Sequence, residues 1–383
     1  MTMTSRKVVL LATLDTKSRE AWYLHDALRK LNVTINMLDI SLGADDETRS
    51  DNRKIHQIET VVAETLSTLD RELSPIFALV GLGGGTGGDI ILRIMRTLPI
   101  EFPKILISPL PFDPRTVAAD NHIVLIPTVV DLEGLNGTVR YFLNSAAGLI
   151  AGLATHGLGG SVPAGSIGLS TLGVLRGAAR GIIDRLRDRG HEVTAFHANG
   201  YGGAAFARFA REERFPGTID MTVHEMTRIR LVGDHVSMPD RFTAAGARPR
   251  IVLPGGLNFL GLGPIEQLRK TYRQRAHYQH SGDFTHVKLS HEEMATVAKA
   301  LAAELNQATG ETLLILPMGG FSHEDGPGGA IEDHDLRDVA AECLEEAAIA
   351  YDVLRMESHI NDPATADKAV EALQARLGSE KTS

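Results

Sequence analysis

Short apolar runs alternate along this chain with longer stretches in which apolar side chains recur every three or four residues. Val8-Val9-Leu10-Leu11 predicts a strand, and Ala21, Leu24, Leu28 and Leu31 then mark one face of a helix over residues 18–31. Residues 33–40 predict the next strand. The plan returns near mid-chain: strand 166–170, helix 175–189 with Ile182, Ile183 and Leu186 inward, strand 191–197. Ala12-Thr13-Leu14 aligns without gaps on Ser170-Thr171-Leu172, and the same offset carries Leu24 and Leu28 onto Ile182 and Leu186. A third echo sets residues 103–109 against 249–255, with different insertions between the echoes. Residues 295–305, 312–316 and 336–350 continue the second half as helix, strand and helix. Short apolar strands alternating with helices imply an α/β protein with mainly parallel sheets covered on both faces. The glycine-rich stretch 157–165 separates a domain over residues 1–160 from one over 166–383. The last dozen residues are expected to fray.

The apolar run Ile76-Phe77-Ala78-Leu79-Val80 stops at six glycines in eight residues, 81–88. A helical pattern is then predicted from Asp89, with Ile90, Ile91, Ile94, Met95 and Leu98 on one face. Strand, glycine loop and helix in that order make an anion site, because bare backbone approaches a phosphate and the first N–H groups of the helix point at it. Gly83, Gly84, Gly85, Gly87 and Gly88 supply the backbone and Thr86 a hydroxyl. The spacing is neither the P-loop nor the dinucleotide fingerprint, so it does not name the ligand, and a tight turn without a ligand is the alternative. Thr13, Asp15, Thr16 and Lys17 follow the first strand, and adjacent parallel strands bring that loop to the same sheet edge. Asp15 suits ribose hydroxyls, a hydrated Mg²⁺ ion or a helix cap; Lys17 suits a phosphate or solvent.

With 383 residues the chain is long enough for two full cores. Its 48 acidic residues against 39 basic ones give a formal charge of −9, which argues against a general nucleic-acid binder. No apolar run approaches the roughly 20 residues of a membrane span, and no signal-like segment opens the sequence, so a cytoplasmic location is expected. The one cysteine, Cys343, excludes an intramolecular disulfide.

Several motifs in order resemble one family. Ala12-Thr13-Leu14-Asp15-Thr16-Lys17, the glycine loop, Arg96-Thr97-Leu98-Pro99, and Val129-Val130-Asp131-Leu132-Glu133-Gly134-Leu135-Asn136 followed by Asn144-Ser145-Ala146-Ala147 look like the Tm-1-like ATP-binding family, also called UPF0261. The resemblance continues through His197-Ala198-Asn199-Gly200-Tyr201-Gly202-Gly203, Pro254-Gly255-Gly256-Leu257-Asn258, Tyr272 with Arg275 and His280, and Pro317 with Gly320, Ser322 and Asp325. It implies two Rossmann-like halves, ATP bound in the first, with Asp131 and Asn136 added to its site, and self-association. Three departures stand out: Ala12 replaces the family's usual Gly, Asn258 its usual Asp, and Ser281-Gly282 its usual Asn-Pro.

The second half carries its own polar set. His197 ends a predicted strand before glycines and suits a general base near neutral pH, or a backbone hydrogen bond. Asn199, Gly202, Gly203, Glu225, Gly255 and Asn258 are expected around a small polar or anionic substrate. Arg275 suits a carboxylate or phosphate, and His280, Ser322 and Asp325 complete the expected catalytic set. His280, with His277, His286 and His291 nearby, hints at a metal, but no third ligand stands at zinc spacing, so these histidines are read as solvated and no metal site is expected. Together these features lead to an expected enzyme that uses ATP, with or without Mg²⁺, and acts on a metabolite in a ligand cleft between the halves as a homo-oligomer, a dimer or larger. A nucleotide-responsive binding protein without turnover, and a sugar-phosphate isomerase or lyase, are the alternatives.

Overall fold

The computed structural model describes residues 7–43, 51–72, 76–117, 119–157, 162–233, 238 and 240–379. The chain divides into two compact units, Met1–Val162 and Pro163–Ser383. The division falls inside the glycine-rich stretch 157–165, of which residues 158–161 lie outside the described residues.

In the first unit β1 (Lys7–Ala12), α1 (Ser18–Lys30), β2 (Thr34–Asp39), α2 (Asp51–Glu72), β3 (Ile76–Leu82), α3 (Gly85–Thr97), β4 (Lys104–Ser108), α4 (Pro114–Val117), β5 (Ile123–Pro127) and α5 (Gly137–His156) follow one another. The strands form one parallel sheet in the order β2-β1-β3-β4-β5. Alternation along β1 explains its unbroken apolar run. Val8 and Leu10 join Leu24, Leu28, Leu143 and Ile150 on the face covered by α1 and α5. Val9 and Leu11 join Ile58, Ile90, Ile94 and Met95 on the face covered by α2 and α3. A central parallel strand buries both faces, so both sets must be apolar.

The second unit runs β6 (Ile167–Thr171), α6 (Arg176–Asp188), β7 (Val193–His197), α7 (Gly202–Arg211), β8 (Thr218–Thr222), α8 (Glu225–Leu231), β9 (Arg250–Gly255), β10 (Phe259–Leu262), α9 (Lys270–Arg273), β11 (His277–Ser281), β12 (Phe284–Lys288), α10 (His291–Leu305), β13 (Thr312–Pro317), α11 (His334–Glu346), β14 (Asp352–Met356) and α12 (Pro363–Ser379). Six strands form a parallel sheet in the order β7-β6-β8-β9-β13-β14. The first four repeat the β2-β1-β3-β4 order of the first unit. The repeat is metrically close: α1 spans Ser18–Lys30 and α6 spans Arg176–Asp188, the same shift at both ends.

Three expectations change. α3 starts at Gly85, four residues before Asp89, so the last glycines form its first turn. α12 runs through Ser379 with Leu373 fully buried, so of the last dozen residues only 380–383 fall outside the described chain. The apolar pattern also gave no hint of an antiparallel sheet, β10-β12-β11, beside the parallel one. β11 reads His-Tyr-Gln-His-Ser and is exposed along most of its length, so it carries no apolar alternation to find. No helix among the described residues is long and apolar enough to cross a membrane.

Candidate functional site

β1 and β3 are neighbours, Ala12 against Leu82, so the loops that leave them emerge side by side. Two glycines serve the turn itself. A Cβ on Gly81 would lie 2.3 Å from Ile91 Cγ2, and one on Gly83 would lie 2.9 Å from the backbone of Gly87 and Gly88. The next two are not explained by packing. A Cβ on Gly85 would meet nothing within 4 Å, and one on Gly84 only Pro109 Cγ at 3.9 Å. Gly88 N–H donates to Gly84 O at 2.7 Å and closes the first turn of α3. The amides ahead of it have no intrahelical acceptor and line a cavity of about 320 Å³.

Thr13, Asp15, Thr16 and Lys17 line the same cavity, as do Gly84, Gly85, Thr86, Gly87 and Asp131. The sequence did not single out Leu42, Gly43, Lys54 or Glu133, which complete it. Thr13 Oγ1 and Thr16 Oγ1 share a hydrogen bond of 2.9 Å, and Lys17 Nζ meets Glu133 Oε1 at 2.6 Å. Asp39, at the end of β2, pins the loop: its carboxylate accepts from Leu14 N–H at 3.1 Å and Ser41 N–H at 3.0 Å, and Ser41 Oγ accepts from Asp15 N–H at 3.0 Å. Burial pushes the Asp39 pKa up, but a hydrogen bond from the Ser41 hydroxyl, together with the two amides, outweighs it and holds the group below its ordinary value. Three residues expected at the cofactor stand elsewhere. Gly83 and Gly88 lie within the turn, and Asn136 caps α5, its Oδ1 accepting from Val139 N–H at 3.0 Å.

In the second unit the expected residues do not form one group. His197 and Asn199 are exposed at the end of β7. Gly202 and Gly203 open α7, where a Cβ on Gly203 would lie 1.9 Å from Glu225 Oε2. Glu225 itself is fully buried and its carboxylate is held within the unit: Oε1 accepts from Gly200 and Gly203 N–H at 2.7 and 3.3 Å, and Oε2 pairs with Arg241 at 2.7 Å. Arg241 also donates to Asp220 at 2.9 and 2.7 Å and to Thr222 O at 2.6 Å, all inside the core. Burial pushes the Glu225 carboxyl up, while Asp220 and Glu225 hold Arg241 protonated against its own burial. Gly255 is walled in, with Met221 O only 2.3 Å from where its Cβ would be.

Arg275 spends its fork on Glu293, at 2.5 and 3.1 Å, beside the Ser290–Glu293 capping box of α10. Asp325 accepts from Phe321 N–H and Asp333 N–H at 2.9 and 3.1 Å and pairs with Arg337 at 2.6 Å, so it fixes its loop from within. The loops after β13 and β14 flank a cavity of about 560 Å³ that includes His323, Glu357 and His359. Asn361 N–H donates to His359 Nδ1 at 3.0 Å, which leaves the proton on Nε2 to be donated to Ser322 O at 2.9 Å.

His280, Ser322 and Asn258 do converge, around two residues that were not assigned a role. His280 and His286 stack across the β11–β12 hairpin with ring centroids 5.0 Å apart. Glu324 reaches them from the short helical turn His323–Asp325 after β13, with Oε1 3.8 Å from His286 Nδ1. Asn258 Nδ2 donates to Ser322 Oγ at 3.2 Å, and the Ser322 hydroxyl in turn serves the Glu324 carboxylate. Burial, with His224 and His280 adding to it, pushes the His286 pKa down to about 3, and burial pushes Glu324 up.

A two-unit α/β protein with a glycine-opened helix start in the first unit and a polar loop cluster in the second is the class this structure defines. The chain belongs to the UPF0261 family: residues 44–158 match the profile described as "Uncharacterised protein family (UPF0261) N-terminal domain", and residues 165–377 match that of its C-terminal domain. A UPF0261 protein of Clostridium tetani is 28% identical over 94% of this chain and 96% of its own. The ToMV resistance protein Tm-1(GCR237) of Solanum lycopersicum is 26% identical over 81% of this chain, which corresponds to 43% of that longer protein. Among solved structures, a C2-type ketoreductase from a modular polyketide synthase aligns with 98% of this chain and 90% of its own, at 15% identity and a TM-score of 0.26.

Proposed function

We propose that the first unit binds ATP as its magnesium complex, and that the protein is a cytoplasmic, self-associating enzyme acting on a small polar or anionic metabolite. The observation that carries the nucleotide reading is the start of α3, where Gly84 and Gly85 leave room that packing does not require and face a cavity shared with Lys17. Helix N-termini attract phosphate through unpaired amides and the helix dipole. The lining sets Lys17 and Lys54 against Asp15, Asp131 and Glu133, an excess of one carboxylate. That balance repels a bare anion and favours one that arrives with its own cation, which supports Mg-ATP over a sugar phosphate. The volume sits near the lower end of ligand sites, about 300–1,000 Å³, which suits the phosphates and part of a nucleoside. Polar loops of the second unit at the carboxyl ends of β13 and β14 support a metabolite site there. The apolar, exposed Tyr141 and Leu149 on α5 support self-association.

A second reading, nucleotide-responsive binding without turnover, is favoured by the similarity to a protein whose name records virus resistance. Calorimetry with ATP and Mg²⁺ tests the first step. Wild type is expected to bind, and Gly85→Val to lose at least about tenfold in affinity, about 1.4 kcal/mol, with its melting temperature unchanged. Equal affinity in both proteins would sink the assignment. ATP turnover that rises with one compound of a metabolite panel supports the enzyme; binding without any such response supports the second reading.

A further inference from the structure

We propose that His280, His286 and Glu324 form a binding site for one divalent transition-metal ion of the zinc class. The site is separate from the nucleotide cavity and does not depend on it. One candidate ligand atom from each residue lies within 4.8 Å of the others. The residues come from three places that the fold alone unites: the bulged end of β11, the middle of β12 and the turn after β13. His286 and Glu324 are 8% and 5% exposed, and His286 Nδ1 and Glu324 Oε2 are buried without a hydrogen-bond partner. Buried polar atoms left unpaired cost stability, so two such atoms on neighbouring side chains call for a partner. Their separation also points to an ion. At 3.8 Å, His286 Nδ1 and Glu324 Oε1 are too far apart to hydrogen-bond and close to the roughly 3.3 Å between two ligands of a tetrahedral zinc.

The surroundings resemble those that orient metal ligands. Phe259 stacks on His286 at 4.1 Å and fixes its ring, and Asn258 holds Ser322, which serves Glu324. Two imidazoles and one carboxylate suit zinc or its neighbours better than magnesium or calcium, which prefer all-oxygen shells. Three protein ligands leave a fourth position free, and His280 is exposed, so that position opens to solvent. This is the ligand count of zinc sites that activate water rather than of structural ones.

The test uses the full chain, stripped with a chelator and then titrated with Zn²⁺ by calorimetry and with Co²⁺ by visible absorption. One ion per chain and tetrahedral cobalt bands are expected. His286→Gln and Glu324→Gln should each lower Zn²⁺ affinity by at least a hundredfold. His280→Gln, at an exposed position, should do so without altering the melting curve of the metal-free protein. Ser322→Ala, a positioning change, should cost about tenfold to a hundredfold. No Zn²⁺ uptake at micromolar concentration would overturn the proposal. So would uptake insensitive to His280→Gln and Glu324→Gln, which would assign the ion to other histidines.

Discussion

At the scale of single residues, the glycine loop divides by what each position touches. Gly81 and Gly83 are excluded from carrying a side chain by Ile91 and by the loop's own backbone, whereas Gly84 and Gly85 are not. Counting glycines in the sequence does not make that distinction, because all six look alike until neighbours are placed around them. Asp39 belongs to the same scale. It was not singled out, yet its carboxylate fastens the loop that carries Asp15 and Lys17. Its pKa in the folded protein lies below the ordinary 3.8. The unfolded chain therefore binds its proton first as pH falls, so the stabilisation from Asp39 is present above about pH 4 and disappears below it. Asp39→Asn should reduce stability near neutral pH by on the order of 1 kcal/mol or less, since the group is partly exposed and screened. The gap from wild type should close as pH falls below 3.8 and through the lowered folded-state pKa. Chemical denaturation at several pH values checks this, and a gap that persists unchanged in acid would show that the carboxylate charge is not what holds the loop.

At the scale of elements, the second unit ties the start of α7 to β8 and α8 through buried charge. Glu225 holds the amides of Gly200 and Gly203, Arg241 joins Glu225 to Asp220, and all three are fully buried or nearly so. Arg241→Met leaves two carboxylates without their counter-charge and should cost about 3–5 kcal/mol in unfolding free energy, whereas replacing a whole buried network with apolar groups is often neutral. A loss under about 1 kcal/mol would mean that Arg250, also buried near Asp220, takes over the charge balance. Much of this architecture was legible from apolar periodicity. Strands β1 to β4, β6, β7, β9 and β13 and the matched helices α1 and α6 follow from it, because a covered parallel strand must be apolar on both faces. What stayed hidden has a physical cause in each case. α3 begins within the glycines, whose lack of side chains leaves no apolar periodicity to mark a first turn. Glu225, Arg275 and Asp325 were expected near a substrate because they are polar residues beside loops, but their partners Arg241, Glu293 and Arg337 are remote in sequence or unmarked by any motif. Glu324 was missed as a partner of His280 and His286 for the same reason: α10 and β13 intervene between His286 and Glu324, and a spacing rule looks only along the chain.

At the scale of the whole molecule, one topology is used twice with different chemistry at the corresponding place. The strand beside β1 leads into a helix opened by glycines, and its counterpart β8 leads into α8 through His224 and Glu225, both buried. A glycine-opened helix start thus stands in the first unit, whereas imidazole and carboxylate side chains gather in the second. Each unit also has its own sheet and its own apolar clusters. Among the described residues, the cavity proposed for the nucleotide is lined by residues of the first, from Thr13 to Glu133. A fragment of residues 1–162 is therefore expected to fold on its own and to bind Mg-ATP within about a factor of three of the full chain, because no lining residue is lost. Circular dichroism and calorimetry on the fragment measure this directly. A folded fragment with binding weakened a hundredfold or more would mean that the second unit contributes to the nucleotide site, and the assignment of that site to residues 13–133 alone would have to be abandoned.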